Sequence, residues 1–76
     1  MNILLVEDEP TLRTGTEQFL RQRGFTVLTA ASGEEALEKF TRADAIILDI
    51  MLPGVSGIEV LHQIRQASDV PVLMLT

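Results

Sequence analysis

The stretch that most constrains the fold is a short apolar segment that ends on an acid. Residues 45–48 read Ala-Ile-Ile-Leu, Asp49 follows them directly, and Pro53-Gly54 interrupts the chain soon afterwards. An apolar segment of this length between turn signals predicts a strand that is buried on both faces. A carboxylate at its end is costly unless it faces a polar site. We therefore expect Asp49 at the carboxyl edge of a central strand, which is where open α/β sheets bind ligands.

The same kind of pattern divides the whole chain into strands that alternate with helices. The predicted strands span 2–6, 25–30, 45–49 and 71–76. Helices are predicted to begin at Pro10, Ser32 and Ser56, the last two with Ser-x-x-Glu capping patterns. The order β-α-β-α-β-α-β predicts an α/β fold with a parallel sheet, helices on both faces and right-handed crossovers. Because the second strand is the most polar, it belongs at an edge, which favours the strand order 2-1-3-4.

Three acidic residues leave the two central strands at the same end. Glu7 and Asp8 follow the first strand, and Asp49 ends the third, which is its neighbour in the predicted order. Carboxylates this close repel one another, and one of them would be protonated near neutral pH unless a cation were present. Hard oxygen ligands select Mg²⁺ or a similar ion, and Mg²⁺ often shares its coordination with phosphate oxygens. The pattern predicts a Mg²⁺ site beside which Asp49 acts as nucleophile and takes up a phosphoryl group.

Each candidate residue also has an ordinary structural explanation. Acids at a helix start, such as Glu7 and Asp8, interact favourably with the helix dipole. Asp49 could cap the loop that follows it, although that leaves its convergence with the other acids unexplained. Thr76 would lie at the rim of the same crevice, but it is also an ordinary β-branched strand residue. His62 has no second histidine and no cysteine with which to share a metal, so we interpret it as a solvated helix residue.

Several segments together resemble response-regulator receiver domains of two-component signalling. They are V-E-D-E-P after the first strand, L-D-I-M-L-P-G-V-S-G-I-E-V-L around the third, and P-V-L-M-L-T at the end. The segment A-A-S-G-E-E-A-L in the first half also fits, so the resemblance covers all 76 residues. The segment D-I-M-L-P-G is most similar to receivers that carry a winged-helix DNA-binding output domain downstream. The resemblance implies the flavodoxin-like receiver fold, which is a three-layer sandwich.

The resemblance also implies roles for individual residues. A sensor histidine kinase would phosphorylate Asp49, and Glu7 and Asp8 would be the acidic pair around Mg²⁺, with Asp49 as a further metal ligand. Met51 would contribute its backbone carbonyl to the metal. Thr76 would be the switch hydroxyl that moves to bond the phosphoryl oxygen. The implied function is a phosphoacceptor module, not an enzyme, that controls an output such as transcription.

The chain departs from a complete receiver after its fourth predicted strand. The family pattern continues with a fourth helix, a fifth strand that carries a lysine, and a fifth helix, whereas Lys39 in the second helix is the only lysine here. We therefore expect residues 1–76 to be the N-terminal portion of a receiver domain, truncated after the fourth strand and unable to signal in this form. The exposed fourth strand is expected to join copies of the chain into a homo-oligomer.

Composition argues against several other partners. The net charge of −5 and the lack of a basic cluster argue against nucleic-acid contact by these residues, so DNA would be reached only through a downstream domain. No apolar segment approaches membrane-spanning length, and the early acidic residues argue against a signal peptide. The absence of cysteine suits a cytoplasmic protein.

Two other functions remain open from the residues alone. An aspartate-dependent phosphohydrolase that uses the D-x-D pattern needs a second acid two residues after its nucleophile, and Met51 occupies that position. An oligomerising structural fragment of a receiver would keep the acids without using them. The formation of an acyl phosphate from a small phosphodonor would separate these functions from a phosphoacceptor.

Overall fold

A computed structural model describes residues 1–75 of the chain. Its strands are β1 (Asn2–Val6), β2 (Thr26–Ala30), β3 (Ala45–Asp49) and β4 (Val72–Leu75), and its α-helices are α1 (Pro10–Gln22), α2 (Gly33–Lys39) and α3 (Gly57–Ala67). A turn of 3₁₀ helix, Phe40–Arg42, follows α2 and is not predicted by the sequence pattern. Among residues 1–75, no helix is long and apolar enough to cross a membrane. Thr76 lies outside the described residues.

The strands form a parallel sheet in the order β2-β1-β3-β4. This confirms the α/β fold and the strand order that the polarity of the second strand predicts. At the carboxyl end of β1, Val6 is paired with Ala30 of β2 on one side and with Leu48 of β3 on the other. Because these strands are parallel and end level with one another, the residues that follow them emerge at one edge of the sheet.

Alternate residues along the strands belong to two apolar clusters, one on each face of the sheet. The cluster beneath α2 and α3 has as buried members Leu4, Val6, Ala30, Ala36, Ile46, Leu48, Leu52, Val60 and Ile64. The cluster beneath α1 has as buried members Ile3, Leu5, Leu20 and Val27. Since successive side chains of a strand point to opposite faces, this arrangement makes the sheet the middle of three layers. The layered architecture implied by the family resemblance is therefore confirmed.

Short-range hydrogen bonds start and end the helices where the sequence predicts. Ser32 Oγ accepts a hydrogen bond from Glu35 N at 3.1 Å, and Ser56 Oγ accepts one from Glu59 N at 3.3 Å. Gly24, just beyond α1, has a φ of 93°, a left-handed conformation that glycine adopts without strain. These signals are local, so the sequence was sufficient to locate the helices.

The apolar face of α1 is only partly covered by the sheet. Helical spacing groups Leu12, Phe19 and Leu20 on one face, but only Leu20 is buried, whereas Leu12 and Phe19 are 56% and 53% exposed. The edge strand β4 is similar, because Leu73 is 60% exposed. Periodicity therefore identifies which residues share a face, but not how much of that face is covered.

A pair of charged side chains ties the end of β2 to α2. Glu35 Oε1 accepts a hydrogen bond from Ala31 N at 2.9 Å, and Lys39 Nζ lies 2.6 Å from Glu35 Oε2 and 2.7 Å from Thr29 O. The Ala31 N–H and, second to it, the Lys39 ammonium hold the pKa of Glu35 below its ordinary value. Lys39 is thus engaged between β2 and α2.

This bridge predicts a pH-dependent contribution to stability. Glu35→Gln should lower the free energy of unfolding by less than about 1 kcal/mol at neutral pH, because the carboxylate is partly exposed and screened. A carboxyl whose pKa falls on folding stabilises the protein above its unfolded pKa, about 4.3, and loses that effect as the pH drops through its folded pKa. The deficit of Glu35→Gln should therefore shrink toward a pH of about 3. Urea unfolding at neutral pH and at a pH of about 3 measures this loss of stability, and Glu38→Gln at an exposed position is the control. A loss that does not change with pH would contradict the role of the Glu35 carboxylate.

Candidate functional site

The carboxyl ends of β1 and β3 position three acidic residues. Val6 pairs with Leu48, so Glu7 and Asp49 come next on adjacent strands. Glu7 N donates to Ala30 O at 3.0 Å, which extends the β1–β2 ladder by one residue before the chain leaves the sheet. Asp8 then begins the loop that leads into α1. Strand register therefore sets the positions of all three acids.

Carboxylate oxygens of Glu7, Asp8 and Asp49 form a compact group, here called the acid cluster. One oxygen from each residue lies within 4.8 Å of the other two. Glu7 is only 6% exposed, Asp49 is half-buried and Asp8 is exposed. The structure thus brings together the three acids that the sequence pattern places at one crevice, and the cluster opens to solvent on the Asp8 side.

Two of these carboxylates are held by nearby backbone N–H groups. Glu7 Oε2 accepts a hydrogen bond from Glu9 N at 3.1 Å, and Asp49 Oδ1 accepts one from Met51 N at 2.9 Å. In the part of the chain that the structure describes, no arginine, lysine or histidine forms an ion pair with the acid cluster. The negative charge of the cluster is therefore not neutralised by a direct side-chain partner among these residues.

Electrostatics within the cluster favour a bound cation. Burial raises the pKa of the Glu7 carboxyl above its ordinary value, while the hydrogen bond from Glu9 N–H partly opposes this rise. The neighbouring Asp49 and Asp8 carboxylates raise the pKa of Glu7 further. Because a nearby positive charge stabilises ionised carboxyl groups, a cation would relieve this mutual repulsion.

Two residues beside the cluster have roles that the sequence analysis did not identify. Glu9 caps α1, since its carboxylate accepts hydrogen bonds from Thr11 N at 3.2 Å and Leu12 N at 2.7 Å. Arg13 donates from its guanidinium to Glu7 O at 2.8 Å and Asp8 O at 3.3 Å. The acid before Pro10 is a sequence signal for the cap. The bonds of Arg13 have no comparable signal, because their acceptors are main-chain carbonyls.

The loop after Asp49 packs closely against the start of α3. Gly57 N donates to Ile50 O at 3.0 Å, and Ile50 N donates to Leu75 O at 3.0 Å. A Cβ atom at Gly57 would overlap the carbonyl oxygen of Asp49 and lie 2.7 Å from Ile50 Cα. The absence of a side chain at Gly57 therefore allows the backbone at Asp49 to take its position.

Met51 and Thr76 are the other residues predicted for the site. Met51 lies in the loop after β3 and is 75% exposed. The predicted role of its carbonyl stays a prediction. The predicted switch residue Thr76 lies outside residues 1–75, which the structure describes.

The strand order of the sheet and the acid cluster both agree with the family that the sequence resembles. The family model described as the response regulator receiver domain matches residues 3–76. The chain belongs to this family. A receiver domain is a non-enzymatic signalling module of a two-component response regulator, and the resemblance found in the sequence is confirmed.

Relatives of this receiver domain include regulators of transcription. The transcriptional regulatory protein AfsQ1 of Streptomyces coelicolor is 44% identical over 77 residues, which cover 99% of this chain and 34% of AfsQ1. The receiver domain spans about a third of the length of the curated relatives it matches.

Two solved structures have a fold similar to that of this chain. The response regulator protein TrrA of Thermotoga maritima, in complex with Mg²⁺-BeF, has a TM-score of 0.86 and 41% identity over 96% of this chain and 64% of that one. A complex of histidine kinase ThkA with TrrA gives a TM-score of 0.91 and 44% identity over 99% of this chain and 67% of the matched one. The homo-oligomer predicted through β4 receives no support from these comparisons.

Proposed function

We propose that this receiver domain accepts a phosphoryl group on Asp49 from a sensor histidine kinase, with Mg²⁺ bound by the acid cluster. The observation that carries the proposal is the convergence of three carboxylate oxygens within 4.8 Å at the carboxyl ends of β1 and β3. A relative of known structure was solved with Mg²⁺-BeF and another structure of it includes a histidine kinase, which supports the same chemistry here.

The donor set of the cluster suits Mg²⁺. Carboxylate oxygens are hard ligands, and Mg²⁺ takes one or two of them and keeps several waters or phosphate oxygens. The exposure of Asp8 leaves room for those waters, while buried Glu7 and half-buried Asp49 form the inner wall. When bound, Mg²⁺ would neutralise charge on the transferring phosphoryl group. Met51 O is proposed as a further ligand on the basis of the family resemblance, and the main chain of Met51 lies beside the cluster, since Met51 N donates to Asp49 Oδ1 at 2.9 Å.

Asp49 is the proposed acceptor because it ends a central strand and is accessible. One of its carboxylate oxygens would bond to phosphorus while the bond from phosphorus to the imidazole nitrogen of a kinase phosphohistidine breaks. The imidazole leaves with the electron pair of that bond, and an acyl phosphate remains. The Met51 N–H holds Asp49 Oδ1 and so orients the carboxylate for this step. We propose that the Thr76 hydroxyl forms a hydrogen bond with a phosphoryl oxygen once the phosphoryl group is attached to Asp49.

The relatives support a proposal about the longer protein to which this receiver domain would belong. Residues 1–76 would be the N-terminal portion of the receiver domain of a longer cytoplasmic regulator, which acts on transcription as the name of AfsQ1 indicates for that protein. Contact with DNA would then belong to a separate output domain. The phosphohydrolase alternative is not favoured by any observation, because Met51 stands where the D-x-D pattern requires an acid.

The proposal predicts Mg²⁺-dependent phosphorylation at one residue. Incubation of the wild-type chain with acetyl phosphate and Mg²⁺ should add the mass of one phosphoryl group, and Asp49→Asn should abolish this addition. Asp8→Asn should lower the initial rate about tenfold at subsaturating Mg²⁺, on the order of the loss of one charged ligand bond. Intact-mass spectrometry follows both reactions, and hydroxylamine should release the added group as expected for an acyl phosphate.

Asp44→Asn is the matched control for these substitutions. Asp44 Oδ2 accepts a hydrogen bond from Asn2 N at 2.7 Å, at the opposite end of β1 from the acid cluster. Its replacement removes the same charge without touching the proposed site. Phosphorylation that persists in Asp49→Asn, or that proceeds equally well with Mg²⁺ chelated, would refute the proposed function.

A further inference from the structure

We propose that Arg13 is a positioning residue whose guanidinium holds the main chain of Glu7 and Asp8 so that their carboxylates meet Asp49. The effect of Arg13 on Mg²⁺ affinity rests on the proposed function, whereas its effect on the main chain does not. The inference rests on the two hydrogen bonds that Arg13 donates to the main chain of these residues.

The geometry of Arg13 is that of a clamp across the β1–α1 loop. One guanidinium nitrogen, Nη1, donates to Glu7 O at 2.8 Å and to Asp8 O at 3.3 Å. The base of the side chain is fixed as well, because Arg13 N donates to Glu9 O at 2.9 Å in the first turn of α1. Side chains of a helix lean toward its N-terminus, so an arginine in this turn naturally reaches back over the loop that precedes the helix.

These two bonds restrain the backbone on both sides of Asp8. Each peptide unit is planar, so a held Glu7 carbonyl restrains the plane before the Asp8 Cα atom, and a held Asp8 carbonyl restrains the plane after it. The φ and ψ angles of Asp8 are therefore restrained from both sides. Asp8 is exposed and has no place in the ladder, so the clamp supplies order that the sheet does not.

The need for a clamp comes from the charges of the acid cluster. Mutual repulsion among Glu7, Asp8 and Asp49 favours a loop conformation that moves the exposed Asp8 away from the other two. Charge-assisted hydrogen bonds are stronger than neutral ones, and a guanidinium donating to two carbonyls resists that movement. Arg13 therefore stabilises the arrangement that a cation needs before the cation binds.

Arg13 could affect Mg²⁺ binding in two ways that have opposite signs. As a positive charge near the cluster it would weaken cation binding, and its removal would tighten it. As a clamp it preorganises two ligands, and its removal would weaken binding because the loop must be ordered when the metal binds. We expect the clamp to dominate, because the guanidinium is only partly buried and solvent screens part of its charge, whereas the restraint on the two carbonyls is direct.

Calorimetric titration with Mg²⁺ distinguishes these effects. Arg13→Met should raise the Kd about tenfold, and Arg13→Lys should recover part of the loss because an ammonium group can still donate to a carbonyl. Arg21→Met is the matched control, since Arg21 lies on the same helix and donates from Nη2 to Val27 O at 3.0 Å, away from the acid cluster. It removes the same charge and a similar bond, together with the ion pair between Arg21 and Glu17 at 2.9 Å, and it should leave the Kd unchanged.

A second readout needs no metal. In the metal-free protein, the NMR order parameter of the Asp8 N–H should fall from about 0.85 in wild type to below about 0.7 in Arg13→Met and stay unchanged in Arg21→Met. Equal or tighter Mg²⁺ binding by Arg13→Met, or an unchanged order parameter, would overturn the role of Arg13. A wild type that does not bind Mg²⁺ would overturn the proposed function and the metal-binding part of this inference together.

Discussion

Replacing Gly57 with alanine is expected to destabilise the domain by about 3 kcal/mol. A methyl group at this position would overlap the carbonyl oxygen of Asp49 and lie 2.7 Å from Ile50 Cα, and both neighbours are backbone atoms that cannot rotate away. Forcing extra volume into a closely packed site costs typically about 1–3 kcal/mol, and more where the backbone must move. Since the whole stability of a chain of this length is roughly 4–11 kcal/mol, such a loss would be large.

The same substitution should also disturb the acid cluster. Asp49 and Ile50 would have to shift away from the start of α3, and the hydrogen bond from Gly57 N to Ile50 O at 3.0 Å would be strained or lost. The carboxylate of Asp49 would then move relative to Glu7 and Asp8. Mg²⁺ binding by Gly57→Ala should therefore be weaker even under conditions in which the variant remains folded.

Gly15→Ala provides a matched control for this experiment. Gly15 lies within α1, and a Cβ atom there would meet nothing within 4 Å. Glycine inside a helix is less favourable than alanine by about 0.5–1 kcal/mol, so Gly15→Ala should stabilise the domain by about that amount. Thermal or urea unfolding should thus show shifts of opposite sign for one chemical change. Similar unfolding midpoints for the two variants would contradict the close packing inferred at Gly57.

Replacing Leu48 with alanine is expected to lower the free energy of unfolding by about 3–5 kcal/mol, which is a large share of the stability expected for a chain of this length. Leu48 is fully buried in the cluster beneath α2 and α3, on a strand paired on both sides. Its truncation would leave a cavity at the centre of the sheet, and a small domain has few other contacts with which to compensate. Urea unfolding followed by circular dichroism measures the loss.

Leu73→Ala is the matched control, because Leu73 also lies in a strand but is not buried. Leu73 lies on the edge strand β4 and is 60% exposed, so the same truncation should cost less than about 1 kcal/mol. A loss for Leu73→Ala as large as the expected loss for Leu48→Ala would contradict the exposure of Leu73 in the structure.

The sequence by itself was sufficient for the order of the elements and the convergence of the acids. Ser32, Ser56 and Gly24 act through bonds within a few residues, so the helix ends could be located without tertiary information. The apolar segment before Asp49 and the polar second strand determined the strand order, because a parallel sheet buries its central strands on both faces. Parallel strands then bring their carboxyl ends to one edge, which places Glu7, Asp8 and Asp49 together.

Tertiary structure alone decided how closely the elements pack and which main-chain atoms the side chains reach. Helical spacing grouped Leu12 with Leu20, but only the packing of α1 against the sheet left Leu12 exposed. A glycine at residue 57 is compatible with any turn, and only the fold places it against the carbonyl of Asp49. Glu9 and Glu17 each lie one helical turn from Arg13, yet Arg13 donates to the carbonyls of Glu7 and Asp8. Side-chain type and spacing carry no signal for such contacts, because their acceptors are main-chain atoms that every residue shares.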